Sequence, residues 1–278
     1  MPKAYVHLVR HAQGFHNLCV ENHQLPDPDL TPLGLEQCSA LRSSFPHHDK
    51  ITHLVASPMR RTIYTCLHSF APAVERGIKV VALPDIQEVS PFPCDVGSDP
   101  EKLQREFGDA GQVDLGLVRE GWNDKGIGSE YAPEMRKLEV RAARARKFFR
   151  DLAKKGDRNR NGNGSTNHHD NDGGEEEATN VVAVTHGGFL HFLTEDWDGL
   201  ELGKGTGWHN CEWRTYEVLE EGDRGEVRLK EVEDSWRRRR GSLEGLSETE
   251  QMELKSAYGK DLDEGFASLK DDDEETKE

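Results

Sequence analysis

Four short runs of apolar, mostly β-branched residues limit the fold more than any other feature: AYVHLV (4–9), ITHLVAS (51–57), KVVAL (79–83) and NVVAVT (180–185). Runs that are apolar at successive positions leave no polar face, so strands made from them must be covered on both sides. That is the situation in a parallel sheet lying between helices. Helical stretches fall between the runs. Thr31-Pro32 offers a capping hydroxyl and a first-turn proline ahead of LGLEQCSALRSSF, and Ser57-Pro58 is read the same way ahead of MRRTIYTCLHSFA. In 133–152, Leu138, Ala142, Ala145, Phe148, Phe149 and Leu152 recur at helical spacing. WRTYEVLEE (213–221) and EVRLKEVED (226–234), separated by a glycine-containing turn, predict a late hairpin. The pattern predicts an α/β chain, a three-layer α/β/α sandwich around a mostly parallel central sheet.

Length and charge narrow the function classes. The 278 residues suffice for one large α/β domain, and no apolar run approaches the ~18 residues of a membrane helix. The start, MPKAYVHLVRHA, enters a strand pattern at once, which is read as leaving no room for a signal peptide. Five scattered cysteines form neither a CxxC pair nor an even disulfide framework, so a reducing, cytoplasmic setting is expected. A net charge of −16 argues against a general nucleic-acid binder. Residues 241–278 carry 13 acids against four lysines, and are read as an acidic tail, partly helical or disordered, beyond a domain spanning 1–240. Its helical spacing at Met252, Leu254, Ala257 and Tyr258 would suit docking on the domain or on a protein partner. Arg237–Arg240 reads as a solvated linker or a nuclear signal. Residues 155–179 are almost free of apolar side chains and are expected to form a disordered insertion. Its His168, His169, Asp170 and Asp172 read as solvated loop residues rather than metal ligands.

Chemistry concentrates behind the strand runs. The first ends in Arg10-His11, the second in Ser57-Pro58-Met59-Arg60-Arg61 and the last in His186-Gly187-Gly188. Open parallel sheets bind ligands outside the carboxyl ends of their strands, so two arginines and two histidines can meet there. Guanidinium forks suit phosphate oxygens, and glycines opening a helix let backbone donors approach an anion. No metal-spaced carboxylates and no Walker lysine loop accompany them, so neither metal nor other cofactor is expected. An imidazole attacking phosphorus in line is the chemistry that fits this set.

These residues carry a resemblance. LVRHAQGFHN, DPDLTPLG, SPMRRTIYT and THGGFL occur in the order of the signature segments of the histidine phosphatase superfamily, the phosphoglycerate-mutase-like proteins of its first branch. The likeness runs over about residues 4–215 outside the insertion, with Ala12 where the signature has glycine. It implies His11 as the nucleophile that becomes phosphohistidine, with Arg10, Arg61 and His186 around the phosphoryl group and Arg60 as a surface neighbour. Asn17, Thr31 and Gly187 are implied at the phosphate or substrate. The proton donor is implied in LPDIQEVSPFPCDVG, where Glu88 has the family spacing and Asp85 is the runner-up to it; Asp95 is also present. The mutases' ERHYG-type segment has no counterpart in EVSPFPCDVGS, which favours hydrolysis of a phosphomonoester over phosphoryl transfer within a sugar acid. The implied partner is a small phosphorylated substrate or a phosphoprotein, and a non-catalytic scaffold with this fold is the reading from a different class.

Overall fold

The computed structural model describes residues 3–161, 178–201, 206–221, 225–241 and 245–275. Seven strands form one sheet: β1 (Ala4–Arg10), β2 (His53–Ala56), β3 (Val80–Ala82), β4 (Val113–Asp114), β5 (Thr179–Thr185), β6 (Trp213–Glu221) and β7 (Glu226–Glu231). Their order is β4-β3-β2-β5-β1-β6-β7. Every pair from β4 to β1 is parallel, and β6 and β7 add antiparallel at the β1 edge. The helices are α1 (Pro32–Ser44), α2 (Arg60–Ser69), α3 (Ala71–Glu75), α4 (Pro100–Leu103), α5 (Met135–Asn161), α6 (Gly187–Thr194), α7 (Glu233–Arg240) and α8 (Glu248–Glu275).

Alternation along the buried strands separates two apolar layers. Val6, Leu8, Val181 and Ala183 meet Leu138, Ala142, Ala145 and Phe149 of α5, together with Phe189, Leu190 and Leu193 of α6. Val9, Leu54, Ala56, Val182 and Val184 meet Leu41 of α1 and Ile63 and Cys66 of α2 on the other side. Each such fully buried side chain contributes roughly 1.5–3 kcal/mol relative to exposure. This is the α/β architecture expected from the apolar runs.

Helix α1 starts as its sequence indicates, with Pro32 in the first turn and Thr31 Oγ1 accepting from Gly34 N–H at 3.0 Å. Helix α2 does not. It begins at Arg60 without a side-chain cap from its neighbour, and the acceptor for Arg60 N–H is Asp27 Oδ1 at 3.1 Å. Asp27 is buried and also accepts from Ser98 N–H and Oγ–H, so it ties the 93–99 segment to the start of α2.

Three boundaries depart from expectation. Helix α5 continues to Asn161 and β5 begins at Thr179, so both ends of the supposed disordered insertion are regular. Lack of apolar side chains predicts exposure, and lysine and arginine are good helix formers. The rest of that stretch, with His168, His169, Asp170 and Asp172, lies outside the described residues. The two-residue β4 is too short to leave a periodic signal.

The arginine run is not a solvated linker. It forms α7, where Arg239 pairs with Glu231 at 2.6 Å and Asp196 at 3.0 Å, and Arg238 lies 3.5 Å over the Trp213 ring. Arg240 pairs with Asp198. Helix α8 lies on the α5–α6 layer through Leu254, Tyr258 and Leu262, while Met252 faces solvent. Gln251 fastens it by accepting from Trp197 N–H at 2.6 Å and donating to Asp196 at 3.0 Å. No helix among the described residues is long and apolar enough to cross a membrane.

Candidate active site

The register of the sheet brings three strand ends level. Arg10 of β1 stands opposite Thr185 of β5, and Ala56 of β2 opposite Val184. The pairing runs on past the strands, His11 N–H to Thr185 O at 2.9 Å and Ser57 N–H to Val184 O at 3.0 Å. The His11 and His186 ring centroids are consequently 5.2 Å apart, with both rings buried. The return segment before β6 closes the far side of β1. Asn210 Nδ2 donates to His11 O at 2.9 Å, and Cys211 N–H to Arg10 O at 3.0 Å.

His11 has a defined tautomer. Its Nδ1 lies 2.7 Å from the Ala12 carbonyl oxygen, which only accepts, so Nδ1 carries the proton and Nε2 keeps its lone pair. Burial, then the positive charge of Arg61, pushes its pKa well below the ordinary imidazole value, leaving the ring neutral. Ala12 is itself fully buried beside Leu30 and Cys38, with its N–H on Thr65 Oγ1 at 3.0 Å. The methyl group that replaces the signature glycine therefore fills an apolar contact.

His186 is held from both sides. Arg61 Nη2 donates to its Nδ1 at 3.1 Å, so Nε2 bears the proton and donates to Ser57 Oγ at 2.9 Å. The family resemblance implies that this proton serves the phosphoryl group, whereas here it is committed to Ser57. Arg61, completely buried, also donates through Nη1 to Cys94 O at 2.7 Å and through Nη2 to Asp95 Oδ1 at 2.8 Å. Arg10 donates through Nη1 to Trp208 O. What these side chains leave unpartnered is one buried nitrogen each: Arg10 Nε, Arg61 Nε and, 5.3 Å between ring centroids from His11, His16 Nδ1. Buried donors without acceptors are costly, and the two guanidinium nitrogens are of the kind that an oxyanion would satisfy. Arg60, next in sequence, turns away to Asp29 at 2.9 Å and Glu106 at 2.8 Å, consistent with Arg61 as the pocket arginine.

Glu88 and Asp85 are separated clearly. Asp85 is engaged by Arg144 of α5. Glu88 instead reaches the start of α6, with Oε1 accepting from Val89 N–H and Phe189 N–H, both at 2.9 Å, and Oε2 from Gly188 N–H at 3.2 Å. Burial and then the neighbouring Asp95 charge raise its pKa above the usual carboxylate value. This corrects the expectation for Gly188, whose N–H is taken by Glu88, and leaves the expected role of Gly187 at the phosphate untouched. The helix start that looked like a cradle for a substrate anion holds a protein carboxylate, and a Cβ on Gly187 would lie 2.5 Å from Thr206 Oγ1, so close packing is what glycine serves there.

The remaining predicted ligands brace loops. Asn17 is exposed, and its Oδ1 accepts from Gly14 N–H at 3.1 Å. Thr31 caps α1 and donates to Gln13 Oε1 at 2.8 Å. Neither is brought to His11 by these bonds. His16, one residue before Asn17, is the side chain of that segment that comes to His11.

Two cations hold the backbone around Glu88. Fully buried Arg141 of α5 donates to Asp85 O at 3.2 Å and to Gln87 O, and Lys125 Nζ donates to Glu88 O. Among the described residues no carboxylate lies within ion-pair distance of Lys125. Burial, with Arg141 adding repulsion, pulls its pKa from 10.5 down to about 7. Below pH 7 folding then buries a charge that the unfolded chain keeps in water. Between about pH 7 and 10.5 only the unfolded chain holds that proton, and the penalty fades as pH rises. Converting the shift and subtracting a lost hydrogen bond, Lys125→Met is expected to stabilise the protein by roughly 3 kcal/mol at pH 6 and hardly at all near pH 10. Urea denaturation at the two pH values measures this, and a variant less stable than wild type at pH 6 would overturn it.

No group of three or more His, Cys, Asp or Glu side chains among the described residues is arranged to hold a metal ion. The sequence profile of the histidine phosphatase superfamily (branch 1) matches residues 6–160, more than half of the chain. The chain belongs to this family. Two relatives from Arabidopsis thaliana, "Phosphoglycerate mutase-like protein 1" and "Phosphoglycerate mutase-like protein", are each 39% identical over 75 residues. That is 23% of this chain and 27% and 28% of theirs, so the match spans about a quarter of those relatives. Among solved structures, a mycobacterial glucosyl-3-phosphoglycerate phosphatase is similar with a TM-score of 0.45 at 18% identity, over 82% of this chain and 97% of that one. A phosphoglycerate mutase from Bacillus anthracis gives 0.46 at 16%, over 83% and 93%. One of these structures is named a phosphatase and the other a mutase, and likenesses this distant do not choose between the two activities.

Proposed function

We propose that the chain is a phosphomonoester hydrolase that passes the phosphoryl group through His11 without a metal ion. The observation that carries this reading is the fixed tautomer of His11, whose Nε2 lone pair is free while Nδ1–H is tied to Ala12 O. In the first step Nε2 attacks phosphorus and the bond from phosphorus to the ester oxygen breaks. Glu88, its pKa raised by burial and Asp95, delivers a proton to the departing alkoxide. Arg10 Nε and Arg61 Nε take phosphoryl oxygens and supply the positive charge that in-line transfer needs. In the second step the Glu88 carboxylate takes a proton from water, the water oxygen attacks phosphorus, and the phosphorus–nitrogen bond breaks to release phosphate and neutral His11. His186, whose Nε2–H rests on Ser57 Oγ, is the nearby donor that can turn to the transferred group. The substrate is a small phosphate ester or a phosphorylated protein, and a cytoplasmic or nuclear location remains part of this proposal.

The test is a panel of phosphomonoesters given to purified protein in EDTA, with and without 2,3-bisphosphoglycerate. Release of inorganic phosphate unaffected by EDTA is the expected result. Isomerised phosphoglycerate without phosphate release would mean a mutase, and no turnover of any ester would leave only a scaffold.

A further inference from the structure

Helix α8 lies outside the 6–160 match, yet it delivers a polar atom to the proton donor. A Cβ placed on Gly188 would fall 2.8 Å from Glu88 Oε1 and 2.9 Å from Tyr258 Oη. The two oxygens therefore converge over one backbone position, the start of α6 on which the Glu88 carboxylate is seated. The Tyr258 ring is fixed between Phe192 of α6, 6.1 Å between centroids, and Trp197, 5.6 Å. With its ring set in that aromatic cluster, the position of the hydroxyl oxygen is set too. Absence of a side chain at Gly188 is what allows both oxygens this approach.

We infer that Tyr258 is a positioning residue for Glu88, so that the carboxyl-terminal helix sets the orientation and proton affinity of the catalytic acid. The inference rests on the reading of Glu88 as proton donor. Burial, followed by the charges of Glu88, Asp95 and Asp261, raises the phenol's pKa, so it stays an O–H dipole throughout the working pH range. An O–H of that kind turned toward the carboxylate across the Gly188 position favours its ionised form and opposes the upward pull of burial. The groups facing Glu88 from the other elements are Asp95, Arg61 of α2, Arg10 of β1, Lys125, and Arg141 of α5, together with the Gly188 and Phe189 N–H groups. Tyr258→Phe leaves all of these in place and removes one oxygen.

The experiment follows the Glu88 carboxyl carbon by NMR in glutamate-labelled protein, its signal assigned by its loss in Glu88→Gln. In Tyr258→Phe the titration midpoint is expected to rise by about half a unit to one unit. The alkaline limb of the pH–rate profile for an alkyl phosphate is expected to move up with it, while the melting temperature changes little because the ring packing is kept. A midpoint within about 0.2 unit of wild type, or one that falls, overturns the inference. If the wild-type protein turns over no ester, the proposed function fails, and the titration still decides the role of Tyr258.

Discussion

Replacing His11 with alanine is expected to lower phosphomonoester turnover by about 10⁴-fold or more, since a covalent route loses its only acceptor. The remaining arginines would bind the anion, so substrate affinity should outlast catalysis. Wild-type protein quenched during turnover of a ³²P-labelled ester should carry label that is stable in alkali and lost in acid, as a phosphorus–nitrogen bond is. The label should map to the peptide containing His11 and be missing in the variant. Retention of more than a tenth of the activity, or label on another residue, would dispose of the phosphohistidine route. The variant should fold, because Ala12, the His11 carbonyl and the Arg10 backbone are held by Thr65, Asn210 and Cys211 independently of the ring.

The second large effect is expected at Glu88, and it depends on the leaving group. Glu88→Gln keeps a side chain of the same shape with no proton to give. Alkyl phosphates, whose departing oxygen must be protonated, should slow by about 10²–10³-fold, while nitrophenyl phosphate should slow by less than about tenfold in its first step. The comparison is a ratio of kcat/KM values measured on one preparation, so errors in active fraction cancel. An equal loss for both ester types would show that Glu88 organises the start of α6 rather than donating a proton. Asp85 is no substitute, because Arg144 holds it in an ion pair.

How much of this was readable beforehand follows from where the information lies along the chain. Arg10 ends β1, His11, Ser57 and His186 directly follow strands, and Arg61 opens the helix after β2; a parallel sheet puts strand ends together, so local sequence suffices to predict their meeting. Glu88 stands close behind β3 and was legible for the same reason. Arg141 and Lys125 come from a helix face and a loop, and nothing in their immediate sequence announces a destination; Asp95 and Tyr258 were legible as a nearby carboxylate and a docking face, but not as neighbours of Arg61 and of the start of α6. Their place depends on how α5, the 93–99 segment and α8 settle on the sheet. Gly188 differs from expectation for another reason. A helix start wants an anion, but sequence does not say whether substrate or Glu88 will supply it. The arginines of α7 look solvated in a linear reading, because the acids that receive them, Asp196, Asp198 and Glu231, come from elsewhere.

The position of β1 has a consequence for how the molecule acquires its chemistry. The strand that ends at the nucleophile is third from one edge, and both of its neighbours, β5 and β6, come from beyond residue 178. A chain emerging from the ribosome thus carries Arg10 and His11 long before their neighbours exist, since β5 is complete only at residue 185 and β6 at 221. Pairings of such long sequence separation form late. Under the proposed function, partial products of synthesis should be inert toward phosphate esters.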